Sequence, residues 1–185
     1  KVTESLFFTK TGMDKRAVER IVGDALTGCD DGELFLEYAQ SESFLFDDGR
    51  IKNASFDTSQ GFGLRAVCGE TTGFAHSSTL SEQAIARAAN TVKAVRSGSG
   101  GTLAEPPQGT NQQLYIDDNP LLAVPFEMKV KLLQEIDSYA RAKDPRVKQV
   151  SVNLAASWKA VQILRSGGHK AADIRPLVRL NVVVY

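Results

Sequence analysis

Two spacings of apolar residues share the first half of the chain. Val18, Ile21, Val22, Ala25 and Leu26 repeat at three and four residues. That spacing predicts a helix over about 11–27, with Thr11 or Asp14 as its cap and Gly28 as its stop. Cys29-Asp-Asp-Gly32 reads as a turn, and Leu34, Phe35, Leu36 and Tyr38 mark a strand over 33–40. Residues 44–46 and 51–56 flank Asp47-Asp-Gly-Arg50. This is a hairpin signal, because Asp-Gly accepts the positive φ values of a type I′ turn. Phe62, Leu64, Ala66 and Cys68 then alternate with Gly63, Arg65 and Val67, as in a half-buried strand. The turn residues of 69–73 lead into a return strand at Phe74-Ala75-His76.

Thr79-Leu-Ser-Glu82 has the spacing of a capping box and predicts a helix with Ile85, Ala88, Ala89, Val92 and Val95 inward. Ser97-Gly-Ser-Gly-Gly101 stops that helix, and an irregular crossover over about 97–119 follows. It is read either as a surface connection or as a flap over a groove. Pro125 fits the first turn of a third helix, with Phe126, Val130, Leu133, Ile136 and Ala140 as its buried stripe and Asp144-Pro145 as its end. Val150, Val152, Leu154, Ala156 and Trp158 alternate as a strand. After the turn at Ser166-Gly-Gly-His169, Ile174, Val178, Leu180, Val182 and Val184 alternate again. Short connections of this kind predict an α+β fold, an antiparallel meandering sheet with helices packed on one side. The reading takes 1–185 as a single domain. It expects truncation at both ends, since Lys1 is not an initiator Met and Tyr185 falls inside an apolar strand.

Composition narrows the function. The 185 residues carry 42% hydrophobic and 24% charged side chains with a formal net charge of zero. Such a chain has no general positive field, so direct nucleic-acid contact is not expected. No apolar run approaches the roughly 20 residues that span a bilayer, and Lys1-Val-Thr-Glu-Ser lacks a signal-peptide layout. No membrane role and a cytoplasmic location are expected. Cys29 and Cys68 do not make a disulfide framework. Cys68 reads as a small core residue, and Cys29, in a turn, as a candidate reactive thiol. His76 and His169 are distant and lack partners at helical spacing, so no metal site is expected within these residues. Asp47-Asp48 and Asp117-Asp118 lie in turn contexts, and Ser77-Ser78 lack a nucleophile elbow. No catalytic residue is assigned.

The unusual feature is a strand that carries glycine at 61 and 63. Glycine weakens a strand interior unless a bulge is needed or another backbone comes close. Gly61 and Gly63 are therefore candidates for a bare sheet surface that holds an extended peptide. Arg65 points to the face opposite Leu64 and Ala66, and Arg175 and Arg179 share one face of the last strand. These three are read either as a solvated sheet face with local ion pairs or as partners for carboxylates, of a bound peptide or of further chain. The substrate-binding candidates are Gly61, Gly63, Arg65, Arg175 and Arg179.

Gly61-Phe-Gly-Leu-Arg65, then Gly69, then Gly73-Phe-Ala75, resembles the N-terminal signature of the TldD/PmbA family of bacterial zinc metallopeptidases, often called "modulator of DNA gyrase". The helix-then-strand opening up to Tyr38, the hairpin at Asp47-Asp-Gly-Arg50 and the run Asp173-Ile-Arg-Pro-Leu-Val-Arg-Leu-Asn-Val182 fit it in order, nearer the TldD branch than the PmbA branch. The family's His-Glu-x-x-x-His motif is absent. The resemblance implies an N-terminal substrate-holding and assembly domain of a peptidase, with the catalytic zinc domain downstream. It also implies peptide substrates, such as leaders or unfolded chains, and a PmbA-like partner subunit. The competing class is a non-catalytic protein-interaction module.

Overall fold

The structure is a computed structural model that describes residues 2–94 and 114–185. Five strands form one antiparallel sheet: β1 (Asp31–Asp47), β2 (Arg50–Cys68), β3 (Thr71–Ser77), β4 (Val150–Arg165) and β5 (Lys170–Val184), in the order β3-β2-β1-β4-β5. The fold class is α+β. The first three strands form a meander, and the β4–β5 hairpin adds on the other side of β1. Asp48 and Gly49 turn β1 into β2 with φ values of 52° and 75°, as the Asp-Gly signal requires. β3 pairs with β2 from Phe62↔Ser77 to Cys68↔Thr71.

The helices are α1 (Lys15–Leu26), α2 (Glu82–Lys93), α3 (Pro120–Ala123) and α4 (Phe126–Lys143). Before α1, Val2–Glu4 is α-helical and Ser5–Thr9 a π-turn, and together they bury Leu6, Phe7 and Phe8. Asp14 caps α1 by accepting from the Arg16 N–H. The cap of α2 is Ser81, two residues later than the capping-box spacing placed it; its Oγ accepts from the Ala84 N–H at 3.1 Å. Glu82 is drawn away from its own helix because its Oε1 accepts the Asp14 N–H at 2.7 Å, at the start of α1. Residues 97–113 of the expected crossover, and Val95 of the expected helix face, lie outside the described residues.

The chain divides into two compact units. Unit 1 is Lys1–Tyr38, Ser59–Leu114 and Ala160–Ile174; unit 2 is Ala39–Thr58, Tyr115–Lys159 and Arg175–Tyr185. In unit 1, α1 packs on α2 and α2 on β3. Val18, Val22, Leu34, Leu36, Leu64 and Ile85 are all buried there. Cys29 and Cys68 are paired as a disulfide with Cα atoms 4.4 Å apart, which corrects their reading as separate thiols. The pairing follows from the stitching of the segment before β1 onto the end of β2. The Asp30 N–H donates to Val67 O at 2.8 Å, and Asp30 Oδ2 accepts from the Gly69 N–H at 2.6 Å.

In unit 2, α4 covers a core of Phe44, Phe46, Leu133, Val150 and Val152, with Ile136 and Ala140 packed against it. The buried line of α4 is Lys129, Leu133 and Asp137, whereas Phe126 is half exposed. The expected apolar stripe holds at Leu133, Ile136 and Ala140, and two charged residues are buried beside it. Each has an ionic partner: Lys129 meets Glu42, and Asp137 meets Arg141 one turn on. The same Glu42 explains why β1 is one strand. The expected strand over 33–40 and the apolar run 44–46 belong to one strand, and the ion pair lets Glu42 stay buried where they join. No helix of the described residues is long and apolar enough to cross a membrane.

β5 is an edge strand, and its unit 2 part exposes Leu177, Val178, Leu180, Val182, Val183 and Val184. Bare apolar edges pair with other strands. The chain is expected to self-associate in sedimentation at rising concentration, and Val178→Lys with Leu180→Lys should return it to monomer. A wild-type chain that stays monomeric throughout would count against this account of the edge.

Candidate functional site

Unit 1 carries an open groove of about 550 Å3 on one sheet face, lined from β1 by Glu33, Phe35 and Glu37, from β2 by residues 59–63 and Arg65, and from β3 by Phe74, His76 and Ser77. The pleat explains this lining. On β1 Leu34 and Leu36 turn inward, and on β2 Phe62, Leu64 and Ala66 do the same, so the odd-numbered residues between them share the other face. Gly61, Gly63 and Arg65 of the five candidates come together here. Arg175 and Arg179 do not join them; both are exposed residues of β5 in unit 2.

Arg65 is held within its own sheet. Its Nε and Nη2 donate to the two Glu33 carboxylate oxygens at 2.8 Å each, a fork-to-fork pair, and Nη2 also reaches Asp31 Oδ2 at 3.0 Å. Arg165 Nη2 donates to the other Asp31 oxygen at 2.7 Å. Two carboxylates and two guanidinium groups thus form one neutral network. The hydrogen bonds that Arg65 donates to Glu33, then the charge of Glu33 and Asp31, hold the Arg65 pKa well above its ordinary value despite partial burial. For Asp31, burial alone would raise the pKa, but bonds from Arg165, the Gly32 backbone and Arg65 outweigh it and bring it below the usual carboxylate range. Sequence reasoning missed Asp31, Glu33 and Arg165. The signal it had was the run Asp31, Glu33, Phe35, Glu37 at a spacing of two, obscured because Asp31 and Gly32 read as turn residues.

The two strand glycines differ. A Cβ on Gly61 would lie 2.7 Å from Ser77 O and 3.3 Å from Ser78 Cα, so the close backbone is that of the chain's own β3. A Cβ on Gly63 would meet only the edge of the Phe74 ring, at 3.3 Å. Phe74 pairs across from Arg65 and leans over the bare strand, 59% exposed, with its centroid 5.6 Å from the His76 ring. A cross-strand ring over a strand glycine is a known form of support. Rings, a bare strand and a neutral ionic rim suit the binding of an extended, uncharged backbone. Among the described residues, no group of three or more His, Cys, Asp or Glu side chains is disposed to hold a metal ion, so the residues present do not fit one.

A chain with an antiparallel sheet, helices and an open sheet groove belongs to the α+β class, and two family models narrow it further. The model for PmbA/TldA metallopeptidase domain 1 matches residues 32–96, and that for the PmbA/TldA metallopeptidase central domain matches 119–185. The chain belongs to the PmbA/TldD metallopeptidase family. It is 38% identical over 158 residues to a metalloprotease TldD homolog of Haemophilus influenzae, covering 84% of this chain and 33% of that protein. It is 34% identical over 185 residues to the metalloprotease TldD homolog of Buchnera aphidicola from Schizaphis graminum, covering 99% and 38%. The chain therefore spans little more than a third of these relatives' length. Its fold matches that of a putative modulator of DNA gyrase from Bacteroides thetaiotaomicron, with TM-score 0.70, 16% identity and coverage of 91% and 40%. It also matches TldE from Thermococcus kodakarensis, with TM-score 0.67, 15% identity and coverage of 91% and 39%.

The glycine geometry predicts opposite outcomes for one methyl group. Gly61→Ala should lower stability by about 1–3 kcal/mol, as overpacking against backbone does, whereas Gly63→Ala should stay within about 0.5 kcal/mol because an exposed ring can swing aside. Denaturant melts of the two variants check this, and equal losses would refute the distinction.

The charge network predicts an acid dependence. A carboxylate with a depressed folded pKa contributes stability above its unfolded value, here 3.8, and loses it as pH falls through the lower folded value. Melting temperature should fall as pH drops below about 5, and Asp31→Asn should start lower at neutral pH and fall less over the same range. Parallel pH profiles for the two proteins would rule out Asp31 as a source of the acid sensitivity.

Proposed function

We infer that this chain is the substrate-holding and assembly part of a TldD-like zinc metallopeptidase that cleaves peptides, and that the unit 1 groove receives the peptide as an extended strand. The observation that carries this is the bare backbone of β2 at Gly63, which shares an open groove with Phe35 and Phe74. Because β2 is paired on both sides, the peptide is held by contact with the rings and the bare face and not by the strand's own hydrogen bonds, and such contact tolerates many sequences, as peptide breakdown requires. The metallopeptidase family and the TldD homologs support a protease as the whole enzyme. In this reading zinc, its ligands and the group that activates water belong to the remaining length of such a protein, and a PmbA-like subunit is the partner. A cytoplasmic location goes with it. There, burial of both cysteines, 1% and 0% exposed, screens the Cys29–Cys68 bridge from external thiols.

The test uses the full-length enzyme. Phe74→Ala and Gly63→Val should each raise KM for several unrelated peptides at least about threefold with kcat nearly unchanged, because each substitution weakens substrate binding and leaves the chemical step alone. Zinc content should be the same as in wild type. Unchanged KM in both variants would remove the groove from substrate binding. Full-length protein without zinc or peptidase activity would leave the non-catalytic interaction module.

A further inference from the structure

Unit 2 holds a pocket of about 350 Å3, separate from the peptide groove and lined by Glu42, Phe44, Phe56, Val124, Phe126 and Lys129 among others. Its apolar walls are rings. Phe44 and Phe126 lie 5.5 Å apart, tilted by 56°, and Phe56 and Phe126 are 51% and 49% exposed. Its polar part is an ion pair out of water: Lys129 and Glu42 are each 8% exposed. The Lys129 ammonium donates to Glu42 Oε1 at 2.6 Å and to Leu121 O at 2.7 Å. An ammonium has three N–H groups and a carboxylate two oxygens, so among the described residues the pair has a donor and an acceptor beyond these bonds.

Charge decides what could enter. The pair is already neutral, so a ligand with its own net charge would be desolvated here without a counter-charge, which is costly. A neutral group that both donates and accepts meets no such cost. It can give a hydrogen to Glu42 and take one from Lys129, and charge-assisted bonds of this kind are the strong ones. The ring walls favour an aromatic body through area and edge-to-face contact. The volume is at the small end of ligand sites, which suits a single ring.

We propose that this pocket is a binding site for a phenol, with its ring among Phe44, Phe56 and Phe126 and its hydroxyl on the Lys129–Glu42 pair. Two sources supply that chemistry, a free small phenol and the tyrosyl side chain of a peptide.

The protein is titrated with 4-ethylphenol and with ethylbenzene, followed by NMR of its phenylalanine rings. The expected result is saturable perturbation of Phe44, Phe56 and Phe126 by 4-ethylphenol, with ethylbenzene at least about tenfold weaker. Replacing both partners of a buried ion pair by apolar residues is tolerated where removing one is not. The double variant Glu42→Leu, Lys129→Met should therefore stay folded and bind the two probes within about twofold of each other. Should it unfold, Phe56→Ser, at an exposed ring, decides: it should weaken 4-ethylphenol at least about fivefold. The proposal is overturned by no saturable binding, by equal affinity for both probes in the wild type, by a hydroxyl preference that survives the double variant, or by unchanged binding in Phe56→Ser. Binding of Ala-Ala-Tyr-Ala-Ala tighter than 4-ethylphenol assigns the site to peptide tyrosine, and weaker binding assigns it to free phenols.

Discussion

Strand β1 alternates its side chains over 17 residues, and each unit takes core residues from its even-numbered positions. Leu34 and Leu36 are buried in unit 1, and Phe44 and Phe46 in unit 2. A slip of one residue would carry all four to the outside and Asp31, Glu33 and Glu37 to the inside. The register is therefore fixed by burial, and the character of the other face follows. Its acidic residues must meet cations or water. Arg65 from β2 and Arg165 from β4 meet two of them, Asp31 and Glu33.

The two ionic features differ in environment and so in consequence. The Arg65 side chain is 36% exposed, and pairs of that kind contribute about 0–1 kcal/mol each. Its network orients a groove wall more than it stabilises the fold. The Lys129–Glu42 pair is nearly dry, and there the cost of desolvation is comparable with the attraction gained. Well-packed apolar residues would hold α4 on β1 about as firmly. A pair that adds little to stability, placed against half-exposed rings, is better explained by what it can bind than by what it holds together.

Much of the fold is legible in the sequence because it is local. Asp47-Asp-Gly-Arg50 gives its turn, Asp14 caps its helix, and the period-two runs around Leu64 and Val152 are strands with those residues inward. What could not be read depends on partners far along the chain. The runs 33–40 and 44–46 join only across Glu42, which is buried because Lys129, 87 residues away, meets it. The strand over 51–56 and the strand that carries Gly61 and Gly63 read as two, yet β2 runs from Arg50 to Cys68 without interruption. Cys29 and Cys68 become a pair only when the segment before β1 meets the end of β2. Of the candidate site, Gly61 and Gly63 stood out by the glycine pattern and Arg65 by the alternation of its strand, but not the carboxylates that hold Arg65. Arg175 and Arg179 share one face of their strand by alternation, which does not say what that face adjoins.

Three of the strand glycines, Gly32, Gly61 and Gly63, show how far a residue's identity can be taken. A Cβ on Gly32 would meet Leu26 and the backbone at Arg65 O, within 2.6 Å; on Gly61 it would meet β3; on Gly63 it would meet only a movable ring. The sequence records the same residue in all three places, since each excludes a side chain. At Gly32 and Gly61 the excluded volume is filled by the protein itself, and packing accounts for the glycine. At Gly63 the only occupant is Phe74, a ring that remains more than half in water. A peptide lying on β2 there would stack on that ring, and Gly63 is the one glycine of the three whose absent side chain leaves room that the fold does not need.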